Sequence, residues 1–174
     1  MDGSVNSNPK GIYNAFRFSQ ASTQVIGTHA SKNRRENTSN PLFLYLALQN
    51  MHSPFQCPSK YFDLYPDIEY EPERTYMAMM SVLDELVGNV TKALKNSRLW
   101  DNSFLIWTSD NGASTSGGSN YPLRGSKQSL FEGGTRTPAV VSGGLLPVHR
   151  RGTSSKGMVH IAGLCFTLIL KQLS

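Results

Sequence analysis

Cysteine is scarce in this chain of 174 residues: there are two, Cys57 and Cys165. A disulfide framework needs more, so the fold must rest on a packed core, and the count neither requires nor excludes a single bridge. Long apolar runs are missing too. The longest near the C-terminus, Met158 to Leu170, is shorter than the roughly 20 residues of a membrane helix and carries His160, so no membrane span is expected. The opening MDGSVNSNPKG lacks the charged-then-apolar pattern of a signal peptide. Acids are outnumbered, 12 against 17 Lys and Arg, for a formal charge of +5. Only Lys32 to Arg35 (KNRR) clusters cations, and no basic run is interleaved with aromatics, so no nucleic-acid partner is expected. What is present, 39% hydrophobic and 17% charged residues, fits a soluble globular protein with one core.

One domain is expected over residues 11–170, with a disordered tail at 1–10 and a short tail at 171–174. Gly11 to Lys32 has loosely helical spacing, and Asn33 to Asn40 reads as a polar linker. Pro41 to Leu48 (PLFLYLAL) is continuously apolar, the habit of a parallel strand covered on both faces. Between Thr75 and Ser97, Tyr76, Met80, Leu83, Val87, Val90 and Leu94 recur at steps of three or four, which predicts a long amphipathic helix. Further strands are expected at Ser103 to Ser109 and Thr137 to Ser142. Strand, helix, strand order implies a right-handed parallel crossover and an α/β class.

In open α/β sheets, ligands collect where strands end, because loops there present polar groups on a rigid scaffold. The second strand ends on Asp110-Asn111-Gly112, a carboxylate and an amide oxygen that suit a hard cation. Taken alone the triplet is an Asx-turn or a helix N-cap. The first apolar run ends in Gln49-Asn50-Met51-His52-Ser53-Pro54, where His52 is able to donate or accept a proton near neutrality. Alone it is a loop histidine. Pro122-Leu123-Arg124-Gly125-Ser126-Lys127 sets two cations beside a glycine, suited to an oxyanion, and alone is an ordinary basic loop. Asn37-Thr38-Ser39 and Asn89-Val90-Thr91 are N-glycosylation sequons, with Asn89 expected on the solvent side of its helix.

The order of these segments, continued by Phe131-Glu132-Gly133-Gly134-Thr135-Arg136-Thr137-Pro138, closely resembles the sulfatase family, nearest its arylsulfatase B group, from about Gly11 to Leu168. The resemblance implies an alkaline-phosphatase-like fold, a mixed and mostly parallel sheet between helices, here incomplete. It implies hydrolysis of sulfuric esters, with a sulfated glycan or aryl sulfate as partner and a lysosomal or secreted location. By the same matching, Asp110 and Asn111 correspond to ligands of a Ca²⁺ that polarises the sulfate, His52 to a histidine that contacts the ester and assists the leaving group, and Lys127 to a lysine that neutralises sulfate charge.

The chain also departs from the family. The formylglycine nucleophile of sulfatases arises from Cys-x-Pro-x-Arg, and Cys57-Pro58-Ser59-Lys60 places proline one position early and lacks the arginine. Cys57 is therefore read as a loop thiol, and formylglycine is not encoded here. No segment matches the family's aspartate pair or its Lys/His pair. At the C-terminus, His160 to Leu168 loses an acid, a tryptophan and a proline of the family pattern. These departures predict a weak Ca²⁺ site completed by water, no turnover by the chain alone, and exposed sheet edges along Leu42 to Leu48 through which the chain associates. The alternative to a hydrolase is a catalytically inactive relative that keeps metal or polyanion binding.

Overall fold

The computed structural model describes residues 11–159 and residue 163. The two expected tails, most of the apolar run after Met158, His160 and Cys165 lie outside the described residues. Helix α1 spans Asn14–Glu36 and helix α2 spans Glu71–Asn96. The last turn of α1 thus takes in Asn33 to Glu36, which the sequence assigns to a linker. Its end is set by Asn37, which adopts the left-handed conformation (φ 51°, ψ 44°) while Thr38 N–H donates to the Asn33 carbonyl, 2.9 Å. Helix α2 opens with Glu71, Pro72 and Glu73 and closes near Lys95, so proline sits where no backbone donor is needed and charge complements the helix dipole.

The helices run parallel. Asn50 Nδ2 reaches both the Tyr13 hydroxyl, 3.3 Å, and the Met79 carbonyl, 3.5 Å, while Asn89 Nδ2 donates to Ser19 Oγ further along both helices, 3.2 Å. Small residues allow the approach: Ala15, Ser22 and Ala30 on α1 and Ala78 on α2 are buried. Ile26, Tyr61, Val82, Leu86 and Val90 complete the core. Tyr61 belongs to a 3₁₀ turn, Ser59–Leu64, and its hydroxyl donates to Glu85 at 2.5 Å.

The buried face of α2 comprises Thr75, Ala78, Met79, Val82, Leu83, Leu86 and Val90, displaced from the stripe read in the sequence, where Tyr76, Met80, Val87 and Leu94 are half-buried. Asn89, seven residues after Val82, lies within about 20° of it around the helix. The expectation that Asn89 faces solvent is therefore corrected: it faces α1, half-buried and hydrogen-bonded.

Residues 41–48 return antiparallel to α1, from Asn40, whose carbonyl meets His29 Nε2 at 2.9 Å, to Gln49, whose Oε1 accepts from Asn14 at 2.9 Å. They are not a ladder strand. Leu42, Leu44, Leu46 and Leu48 pack on the core, whereas Phe43 and Tyr45 are 71% and 80% exposed. Expected burial on both faces gives way to alternation of period two, because among the described residues nothing lies against the outer face.

Two strands pair: β1, Leu105–Thr108, with β2, Ala139–Ser142, antiparallel, with Leu105 opposite Ser142 and Thr108 opposite Ala139. Both expected strands form here, shortened. The parallel crossover from residues 41–48 does not appear as a hydrogen-bonded ladder among the described residues. No helix among the described residues is long and apolar enough to cross a membrane.

Candidate functional site

Three loops gather at the N-terminal end of α2. The first follows residues 41–48, where Met51 takes a positive φ of 67° and turns the chain out of its extended path. His52 lies exposed on this turn, and its Nδ1 lies 2.8 Å from the Ser53 carbonyl oxygen. A carbonyl only accepts, so Nδ1 carries the proton and Nε2 of the neutral ring keeps its lone pair. Three residues on, the Phe55 ring meets Tyr76 of α2 edge to face, with centroids 5.9 Å apart. Burial raises the Tyr76 hydroxyl above its ordinary pKa.

The second loop begins where β1 ends. Ser109 Oγ donates to the Asn111 carbonyl, 2.8 Å, and Asn111 Nδ2 donates to Asp110 Oδ1, 2.9 Å, so carboxylate and amide are held side by side. Further along, the loop rests on α2: a Cβ built on Gly117 would lie 2.8 Å from the Pro72 carbonyl oxygen and 3.0 Å from the Phe55 ring. The first and second loops therefore touch.

The third loop is tied to the second by backbone. Lys127 N–H donates to the Ala113 carbonyl, 3.0 Å, and Gly112 N–H donates to the Gly134 carbonyl, 2.9 Å. Asn120 spans the same gap, accepting from Ala113 N–H at 2.7 Å and donating to the Ala113 carbonyl at 2.9 Å. Buried Gly133 donates to the Arg124 carbonyl, 2.7 Å. A Cβ on Gly112 would collide with the Gly133 carbonyl, and one on Gly133 with the Gly125 carbonyl. Side chains are excluded where these backbones cross, which is why the sequence places glycine there. Arg124 stacks on Phe131, 4.0 Å from the ring centroid, and so packs against an aromatic face.

The structure thus brings the segments of Asp110, Asn111 and Lys127 together by hydrogen bonds and sets the His52 loop against them through Phe55. It does not join Asn37 or Asn89 to this site: Asn37 caps α1 and Asn89 faces it. Sequence reasoning missed Tyr13, Asn50 and Asn120 as supports. Asn50 sits within the Gln-Asn-Met-His-Ser-Pro motif itself, yet only tertiary contacts reveal its partners.

Asp110 and Asn111 offer the right oxygen chemistry for a divalent cation but fall short in number, since Ca²⁺ takes about 6–8 oxygens. Among the described residues no group of three His, Cys, Asp or Glu could hold a metal. Cys57 is half-buried, and burial pushes its thiol up to about 11, away from the thiolate a nucleophile needs. Burial, the larger cause, and the adjacent Cys57 push Tyr13 up to about 12.

The sulfatase family profile matches residues 3–160. The chain is 44% identical over 160 residues to arylsulfatase J of Mus musculus, covering 91% of this chain and 25% of that protein. It is 32% identical over 112 residues to the N-acetylgalactosamine-6-sulfatase of Homo sapiens, covering 62% of this chain and 20% of that one. The crystal structure of Ps i-CgsB in complex with k-i-k-neocarrahexaose superposes with a TM-score of 0.69 at 30% identity, over 75% of this chain and 28% of that one. The chain spans about a quarter of the length of these relatives.

Proposed function

The chain belongs to the sulfatase family and carries part of its alkaline-phosphatase-like α/β fold, and from that premise we propose that it supplies the sulfate-receiving portion of a sulfuric ester hydrolase. The observation that carries this reading is the bond from Lys127 N–H to the Ala113 carbonyl, 3.0 Å, which ties the cation's loop to the one bearing Asp110 and Asn111. In this reading Lys127 offsets sulfate charge. His52, its tautomer fixed by Ser53, presents Nε2 to the ester; protonated there, it delivers that proton to the leaving oxygen. Asp110 and Asn111 would supply two of the oxygen ligands of a Ca²⁺, with the rest from water or other groups, and the chemistry such an ion would bring is polarisation of a sulfate oxygen. The ester is a sulfated glycan or an aryl sulfate, and the location lysosomal or secreted, to which the sequon at exposed Asn37 is suited.

A second reading, a chain that binds without turning over, is favoured by one feature: Cys57 has neither the Cys-x-Pro-x-Arg setting nor a thiolate-stabilising environment. Sulfate release from 4-nitrocatechol sulfate, with and without Ca²⁺, separates the two. No release, together with dye-sulfate binding that weakens in Lys127→Ala and His52→Ala, is the expected result. Turnover that depends on His52 would overturn the account of the nucleophile, and binding indifferent to Lys127 would overturn the site.

A further inference from the structure

Charge is polarised along the two parallel helices. Five of the twelve acids, Asp63, Asp67, Glu69, Glu71 and Glu73, are exposed within and before the first turn of α2. At the opposite end six cations are exposed: Lys32, Arg34 and Arg35 on α1, and Lys92, Lys95 and Arg98 on or just beyond α2. In sequence these are two groups some sixty residues apart. Because the helices run parallel, their C-terminal ends coincide, and Arg34, Asn96 and Arg98 line one concavity of about 360 Å³. Beside it Lys32 and Arg35, with Thr28 and Ser31, line a second hollow of about 480 Å³ on α1.

Cations at helix C-termini are expected to stabilise the dipole, and Lys95 is further occupied over the Trp100 ring, 5.1 Å from its centroid. That account does not use up the charge. Among the described residues, the one ion pair of these cations is Arg35 with Glu36, 3.2 Å, with the arginine side chain 76% exposed. Arg34 donates to the Ser31 hydroxyl, 3.2 Å, and Arg98 is held in a left-handed conformation (φ 59°) that starts the chain away from α2. Two forked guanidinium groups in one hollow match oxyanions that accept bidentately.

We infer that this end of the helix pair is a docking surface for a sulfated polysaccharide. The choice of polymer rests on the sulfatase reading above. The length of α2, about 39 Å at 1.5 Å per residue, separates the patch from the loops, so a small sulfate ester reaches one or the other and only a polymer reaches both. The exposed acids flanking the loop end weaken long-range attraction of a polyanion there, so the patch is its electrostatic point of first capture while a single sulfate group engages the loops.

The test is binding of the whole chain to heparin, measured by calorimetry across a salt series. The expected result is an affinity that falls steeply with salt, and in the double variant Arg34→Ala/Arg98→Ala a loss of about tenfold with a salt slope lower by about one to two. Arg150→Ala/Lys156→Ala removes equal charge at exposed positions outside both sites and should leave binding within twofold. Unchanged far-UV circular dichroism excludes misfolding as the cause, and the charge-conserving Arg34→Lys/Arg98→Lys should recover part of the affinity. Equal loss in both alanine pairs, no heparin binding, or preference for phosphatidylserine vesicles over heparin would each overturn the inference. His52→Ala/Lys127→Ala distinguishes the two proposals: binding lost there but kept in the arginine pair overturns the patch and leaves the loop site standing.

Discussion

The helix pair and the loop region beyond residue 103 are held by different physics. Around α1 and α2 the contacts are side chains taken out of water: Ile26 is 1% and Val82 1% exposed. From Asp110 to Arg136 nearly every long-range tie is backbone to backbone or amide to backbone, and the buried residues are Gly133 and Gly134. A hydrophobic core tolerates conservative exchange of one apolar residue for another, whereas a backbone crossing tolerates no added carbon. The region that gathers the candidate chemistry is the one with no buried apolar side chain, so its shape is specified chiefly by a few glycines and by Asn120.

The largest break in this contrast should come from the core. Ile26→Ala is expected to lower stability by about 2–5 kcal/mol and to melt helices and loops together, followed by denaturant titration. If the loops melt alone, they do not depend on the helix pair. Gly112→Ala, which drives a methyl into the Gly133 carbonyl, should cost about 1–3 kcal/mol and act locally. Hydrogen exchange should rise across 110–136 while α1 and α2 keep their protection; a uniform rise would merge the two regions into one cooperative unit.

Alkaline pH sharpens the comparison on the helix side. Cys57 and Tyr13 have folded-state pKa values raised to about 11 and about 12, from 9.0 and 10.0, with burial the main cause. Both then hold protons more tightly when folded, so their contribution is complete below about pH 9 and is lost as pH rises towards 11 and 12. Cys57→Ala should flatten the first part of that loss. The same rise leaves much less thiolate at neutral pH than a free cysteine has, and iodoacetamide should label Cys57 more slowly than it labels the unfolded chain. The smallest effect belongs to the loop surface. Arg136 and Glu132 form an i,i+4 pair at 3.1 Å with both side chains more than half exposed, and Glu132→Gln should change stability by no more than about 0.5 kcal/mol, vanishing at high salt.

Much of this was legible from residue order. The step of three and four in α2, the strands about Ile106 and Val140, and the identities of His52, Asp110, Asn111 and Lys127 as candidates follow from local pattern and from family resemblance. Local pattern could not say which of two apolar flanks of α2 is deeper, because that is decided by α1 and the Ser59–Leu64 turn, which pack against it from elsewhere in the chain. The assignment of Asn89 to solvent failed for that reason. Nor could a continuous apolar run reveal that Phe43 and Tyr45 face outward, since hydrophobicity records what a residue prefers and not whether a neighbour is there to cover it.

The sequence by itself determined the two long helices, the strands about Ile106 and Val140 and the chemistry available at each loop, because helix period and the polar groups after each apolar run act over a few residues. Only the tertiary structure decided which distant groups share a place: Lys127 beside Ala113, Phe55 against Gly117 and Tyr76, Arg34 beside Arg98. Those pairings depend on parallel helices meeting over small residues and on backbones crossing at glycine, contacts whose partners lie tens of residues apart and leave no periodic trace in the chain.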